Sequence, residues 1–275
     1  MKEIKNITIL GTGNIANGFL HLFLKNQFKI DCIFGNSSKN IEKSVLENTF
    51  FTNNISEITS TSDLYIFALS DDAYQEVFKK ISKNNHLTIH TSGSLDSKSL
   101  GIISDRWGCI YPLQSIKKDT KVSWEKVPFF IEAANEKDEK LLSIFCASNN
   151  MNFSILNSSK RKKLHLAAVA SNNFTYHLLS MVKEYCIKNE VNFKDLRTLL
   201  EKTIETVLSK EPYMDQTGPA NRGDNTLIEK QIKELKEFKN LQVGEVNVVE
   251  MMKEKNAVIV DITMRILQKL KKFED

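Results

Sequence analysis

The segment Gly11-Thr12-Gly13-Asn14-Ile15-Ala16 follows a short apolar run, Ile7 to Leu10, and opens a helical pattern that runs from Ile15 to Leu24. Two glycines at this spacing let backbone approach a pyrophosphate, and the helix N-terminus offers it unpaired N–H groups. Ala16 is small enough for the helix to pack closely on a sheet. The chemistry this predicts is dinucleotide binding, because the pattern stands in the strand, turn and helix context that gives it meaning. A glycine turn that binds nothing is the plain alternative.

The turn beyond the second strand decides between cofactors. An NAD enzyme places Asp or Glu about twenty residues past the motif to hold the ribose hydroxyls. Here that turn reads Gly35-Asn36-Ser37-Ser38-Lys39, and Asp31 lies too early in the strand to serve. Asn36, Ser37, Ser38 and Lys39 can donate hydrogen bonds and positive charge to a 2′-phosphate. NADP(H) is therefore favoured, although a solvated turn would use the same residues.

The next two strands end in Leu69-Ser70-Asp71-Asp72 and in His90-Thr91-Ser92-Gly93-Ser94. Strand C-termini in a parallel sheet face the binding crevice, so Leu69, Ser70, Thr91, Ser92 and Gly93 are expected beside the cofactor. Ser70 to Asp72 would equally well cap a helix.

Candidate catalytic groups come from the stretch Leu164 to Val182, which contains no Asp, Glu, Lys or Arg. Its His, Ser, Asn, Thr and Tyr content is wrong for a lipid-facing helix, so it reads as a helix buried inside protein. His165 and Asn172 are seven apart and share a helical face. A histidine transfers protons near neutral pH, which makes His165 the candidate acid, with Asn172 orienting a substrate. Thr217, in the polar loop from Gln216 to Asp224, would add a hydrogen bond. Satisfied core groups or subunit contacts would carry the same residues, and Arg222 in that loop reads as a surface residue as readily as a carboxylate receptor.

These residues need a scaffold, and the first half of the chain supplies an α/β pattern. Strands are predicted at Ile7–Leu10, Phe28–Phe34, Leu64–Leu69 and Leu87–Ile89, with helices over 15–24, 41–46 and 74–81 between them. Such alternation makes a doubly wound parallel sheet. Apolar pieces around Cys109–Tyr111 and Pro128–Ala133 extend it, and a helix over Asp138–Cys146 and a strand at Phe153–Leu156 close the unit. From Ser158 onward the pattern is helical: Lys194 to Lys210 is amphipathic, another helix follows Asp224, and the last begins near Glu254. Residues 241–253 are left unassigned. The expected domains are 1–157, a Rossmann-type nucleotide-binding unit, and 158–275, an all-helical unit for dimerisation and substrate.

The chain has 275 residues, 41% of them hydrophobic, enough for two cores. A net charge of +4 is too weak a surplus to indicate nucleic-acid binding. Cys32, Cys109, Cys146 and Cys186 are far apart, which excludes a zinc ribbon or disulfide framework and suits reduced thiols. The N-terminus shows no signal region, so a cytoplasmic protein without a metal is expected.

The strings GTGNIA, HTSGSL, YPLQS, VPFFIEA, LHLAAVASNNFTYHLL and QTGPANRGD together resemble one family. It is the Rossmann-like group related to pyrroline-5-carboxylate reductase, taken as NADP oxidoreductases, with C-terminal domain of unknown function 2520. The resemblance implies that Gly11, Gly13, Asn14 and Ala16 hold the pyrophosphate, that Asn36, Ser37 and Ser38 hold the adenosine phosphate, and that the helical domain dimerises. Relatives often carry Arg where this chain has Ser37. The uncharged helix lacks the lysine that hydroxyacid dehydrogenases use as proton donor. The expected function is reduction of a small polar carbonyl or imine by an NADP(H)-dependent homodimer, in a cleft between domains. The alternative is a non-catalytic NADP-binding redox sensor or assembly protein.

Overall fold

The computed structural model describes residues 3–58, 61–117 and 122–209, with scattered positions between 226 and 247. The chain divides into two compact units, Met1–Ala167 and Ala168–Asp275. The helix expected to open the second domain thus starts inside the first unit, for a reason that lies at Arg161.

Eight strands form the sheet of the first unit: β1 (Asn6–Leu10), β2 (Lys29–Phe34), β3 (Phe50–Thr52), β4 (Leu64–Phe67), β5 (Leu87–His90), β6 (Trp107–Pro112), β7 (Pro128–Ala133) and β8 (Asn152–Ile155). Their order is β3-β2-β1-β4-β5-β6-β7-β8. Every pairing is parallel except β6 with β7. Parallel strands are buried on both faces and therefore appear as unbroken apolar runs, which is why the inner strands were readable. All four residues of β4 and of β5 are buried.

Helices α1 (Asn14–Lys25), α2 (Lys43–Leu46), α3 (Asp71–Phe78) and α4 (Glu136–Ser148) cover the sheet. One core joins α1 and α4 to the sheet through Phe19, Phe23, Phe129 and Phe145, with Trp124 seated on Phe19 at 5.4 Å between ring centroids. A second core lies under α3, where Tyr74 and Phe78 meet Phe67 and Leu10. Three residues of β3 carry too little pattern to be foreseen, and α3 begins three residues before the predicted helix.

Register fixes the rim on which ligands sit. Leu10 pairs with Phe34 on one side and Phe67 on the other, so β1, β2 and β4 end level at Gly11, Gly35 and Ala68. The chain order reverses between β1 and β4, and the crevice of a doubly wound sheet opens at that place.

Beyond β8 come α5 (Ser158–Val169), α6 (Thr175–Lys188) and α7 (Arg197–Ser209). The stretch Leu164 to Val182 is not the unbroken buried helix expected. A π turn at Ala170–Phe174 divides it, Ser171, Asn172 and Asn173 are exposed, and Tyr176 is 64% exposed. Lack of charge was taken for burial, but neutral Ser, Asn and Thr are at home in water. Leu199, Ile204 and Leu208 of α7 are exposed as well. Residues 226, 227 and 230 are helical, and the helix expected near Glu254 lies outside the described residues. Within the unassigned stretch, Gln242–Val243 and Val246–Asn247 pair antiparallel. Among the described residues no helix is long and apolar enough to cross a membrane.

Candidate functional site

Gly11 leaves β1 with φ at +129°, a conformation that residues with a Cβ rarely adopt. Its N–H donates to the Phe34 carbonyl at 2.8 Å. A Cβ there would lie 2.1 Å from the Ala68 carbonyl oxygen, so β1 can turn beside β4 only as glycine. Gly13, the N-cap of α1, differs: a Cβ built on it meets nothing within 4 Å. The space in front of the α1 N-terminus is open, and the first N–H groups of the helix are available to an anion. Ala16 is 2% exposed, packing α1 on the sheet as its size suggested.

The loop opens into a cleft of about 540 Å³ lined by Gly11, Thr12 and Gly13, the β2 end at Phe34, Gly35 and Asn36, and Ala68, Leu69 and Ser70 beyond β4. The far wall is Asn53, Asn54 and Ile55 after β3, with Ala73, Glu76, Val77 and Lys80 along and just beyond α3. Of the residues expected at a cofactor, Gly11, Thr12, Gly13, Asn36, Leu69 and Ser70 line this cleft. Asn14, Ile15, Ala16, Ser37, Ser38 and Lys39 do not. Asn14 instead donates its side-chain amide to the Ile116 carbonyl at 3.0 Å. Asp31 points elsewhere, accepting from the Ser62 hydroxyl at 2.9 Å and pairing with Lys29. Sequence reasoning missed the far wall. Its one signal was the spacing of Ala73, Glu76, Val77 and Lys80, a stripe beside the Tyr74 and Phe78 face that enters the core.

Thr91, Ser92 and Gly93 stand at the end of β5, in a second cluster. Ser92 N–H donates to His90 Nδ1 at 3.1 Å, so the proton of the neutral ring sits on Nε2 and is donated to Ser97 Oγ at 2.9 Å. Ser97 Oγ donates in turn to Glu132 Oε2 at 2.7 Å. Burial, reinforced by the Arg161 charge, holds His90 well below the usual histidine range. Arg161 is fully buried: Nη1 donates to Glu132 Oε2 at 2.7 Å and Nη2 to the Leu95 carbonyl at 2.6 Å and Ser158 Oγ at 3.1 Å. Burial alone would raise the Glu132 carboxyl, but bonds from Ser158, Ser97 and Arg161 outweigh it and leave the group below its ordinary value. This polar knot fastens the first turn of α5 to the loop after β5, which is why α5 begins inside the first unit.

One helical turn after Arg161, the knot delivers His165. Gly93 is packed so closely beneath the imidazole that a Cβ on it would lie 2.5 Å from the ring. Tyr111, from β6, reaches His165 Nδ1 at 2.9 Å. Burial pushes the Tyr111 hydroxyl up to about 12, so it keeps its proton at neutral pH. Burial also lowers His165 below the usual histidine value, although Asp71 opposes this. The ring is therefore neutral at pH 7. Asp71 accepts hydrogen bonds from Ser92 and Ser94, which ties the start of α3 to the same cluster.

The other two predicted catalytic residues are not in this cluster. Asn172 is exposed in the π turn and donates to Asn173 Oδ1 at 3.1 Å; the seven-residue argument assumed an unbroken α-helix. Thr217 lies outside the described residues. The sequence missed Tyr111, whose only mark was its place in the YPLQS string.

The geometry is that of a Rossmann-like fold with a glycine loop and a polar cluster over neighbouring strand ends. Residues 127–245 match the family described as "Domain of unknown function (DUF2520)". A Bacteroides fragilis protein provisionally named as an NADP oxidoreductase is 28% identical with a TM-score of 0.73, over 85% of this chain and 91% of that one. A Thermotoga maritima protein is 18% identical with a TM-score of 0.65, over 96% and 99%. The pyrroline carboxylate reductase of Plasmodium falciparum, solved with NADP bound, is 15% identical with a TM-score of 0.57, over 85% and 93%. The last two likenesses bear on the fold alone. No curated protein matches the chain.

Proposed function

We propose that the chain is an NADP(H)-dependent oxidoreductase that reduces a small polar carbonyl or imine. The observation that carries this reading is the loop itself: Gly11 forced against Ala68, open space over Gly13 at the head of α1, and a cleft running from there along β2 and α3. Likeness to the Bacteroides fragilis protein supports it. Absence of an acidic residue from the turn after β2 favours the phosphorylated cofactor. Four buried cysteines, none of them in a disulfide, suit a cytoplasmic protein, and exposed apolar residues on α6 and α7 suit a homodimer.

When bound, NADPH supplies a hydride to the substrate's carbonyl or imine carbon. The chain's own residues then hold and polarise the acceptor. His165 Nε2–H donates a hydrogen bond to the acceptor's oxygen or nitrogen, and the Tyr111 hydroxyl at Nδ1 fixes the tautomer and the ring's orientation. Because Tyr111 keeps its proton, the pair acts as a fixed donor and not as a relay, as a neutral histidine with a lowered pKa does in other enzymes. The proton that completes the product comes from solvent.

His165→Ala is expected to lower turnover about a hundredfold or more, the usual loss for one aligned donor. His165→Gln, which still offers an N–H, is expected to recover part of it. Turnover should be level with pH above the lowered His165 value, because the neutral ring already presents its Nε2–H there. A pH profile checks this once any carbonyl or imine is reduced. Activity that falls as pH rises toward 7, with His165→Gln as poor as His165→Ala, would instead make the ring a general acid. Unchanged turnover in both variants would leave a nucleotide-binding protein whose chemistry lies elsewhere.

A further inference from the structure

Among the described residues that line the cleft, Lys80 is the one cation. The turn after β2, where the sequence suggested a charge, contributes only Gly35 and Asn36; Lys39 is exposed outside the lining, and Ser37 Oγ accepts the Lys39 backbone N–H at 3.3 Å. Lys80 stands just past the end of α3 on the side occupied by Ala73, Glu76 and Val77, so its stem follows the cleft wall. Its side chain is exposed and makes no ion pair with another described residue. Glu76, four residues earlier in the order that favours pairing along a helix, does not reach it, whereas Glu184 and Lys188 pair at the same spacing. Among the described residues, neither charge of this wall is ion-paired.

We infer that Lys80 reads the phosphate on the adenosine ribose of the cofactor, so that the choice of NADP(H) is made from α3 and not from the turn after β2; this rests on the proposed function above. A phosphate monoester carries about −1.5 to −2 charge near pH 7. A lysine ammonium on a four-carbon stem meets it as a mobile point charge, without the fixed fork of an arginine. Ile55 and Val77 give the same cleft an apolar patch suited to a base, and Asn36 and Asn53 give it neutral donors. Glu76 is a like charge toward the phosphate and weakens its binding.

The test is titration of the full chain with NADPH, NADH, adenosine 2′,5′-bisphosphate and AMP, followed by fluorescence or calorimetry, for wild type and for Lys80→Met, Lys39→Met and Glu76→Gln. A charge-assisted contact predicts that wild type prefers each phosphorylated ligand by about tenfold or more. Lys80→Met should bring both preferences to within about threefold while NADH affinity stays nearly constant, and Lys39→Met should leave them intact. Glu76→Gln should tighten NADPH about two- to fivefold, and the preference should shrink as salt screens the charge. A preference kept in Lys80→Met, or lost in Lys39→Met, overturns the inference while the dinucleotide reading stands. A wild type that binds none of the four ligands overturns both.

Discussion

Replacing Gly11 with alanine is expected to remove dinucleotide binding and to lower the melting temperature together. The new methyl would sit 2.1 Å from the Ala68 carbonyl oxygen, on a backbone at φ +129°. Strain at such a φ costs about 1–3 kcal/mol, and forcing atoms into a packed site costs about 1–3 more. At roughly 2–4 °C per kcal/mol for a unit of this size, the melting temperature should fall by about 5–20 °C. Relief of the clash moves β1 away from β4 and spoils the loop, so NADPH affinity should drop by about a hundredfold or more, two steps of 1.4 kcal/mol. Gly13→Ala is the control: its Cβ meets no protein atom, so stability should barely change while pyrophosphate access suffers. Calorimetric melting with nucleotide titration checks both variants. Equal melting temperatures for wild type and Gly11→Ala would contradict the account of the loop.

Arg161→Met is expected to be as damaging by another route. It strands Glu132 beneath α5 with its charge uncompensated, and breaking such a pair costs about 3–5 kcal/mol. The double variant Arg161→Met with Glu132→Gln removes both charges while the amide oxygen still accepts from Ser158 and Ser97. It should regain half or more of the loss. A single variant no less stable than the double would refute the reading of this knot.

The same knot sets the acid limit of the fold. Glu132, held by Ser158, Ser97 and Arg161, and Asp138, held by Arg106 and Asn135, both have folded values below their unfolded ones despite burial. Their contribution is complete above the unfolded carboxylate range, about pH 4, and is lost as pH falls through the folded values. His165, one turn from Arg161, should lose its contact with Tyr111 in the single variant, visible as a change in its imidazole resonances.

How much of this was legible in the sequence depends on how local the cause is. Gly11, Gly13 and Ala16 announce themselves because their sizes are dictated by one turn, and the apolar runs of β4 and β5 because both faces are buried. His165 stands out in the sequence as the histidine near the start of the uncharged stretch 164–182, although four cations precede it in its helix α5. Its partner Tyr111 does not, since 54 residues separate them and they meet only where the fold brings α5 over β6. Arg161 was invisible for a related reason: among Lys160, Lys162 and Lys163 it reads as a solvated charge, yet it is fully buried. Lys80 sits likewise in a surface-like run, and the cleft that gives it a place is closed by Asn53, Asn54 and Ile55, which follow a strand too short for a pattern. The expectation of an unbroken α-helix over 164–182 failed at the π turn Ala170–Phe174, which neutral polar residues do not announce.

A crystal structure of the full chain grown with NADPH decides whether this chain holds NADPH with its reactive end at His165. The pyrophosphate is expected on the Gly11–Gly13 loop, the adenosine phosphate at Lys80, and the nicotinamide beside Gly93 with one face open toward His165. A nucleotide bound with its nicotinamide directed away from Gly93 and His165, or clear density showing the glycine loop empty at saturating NADPH, would contradict this placement.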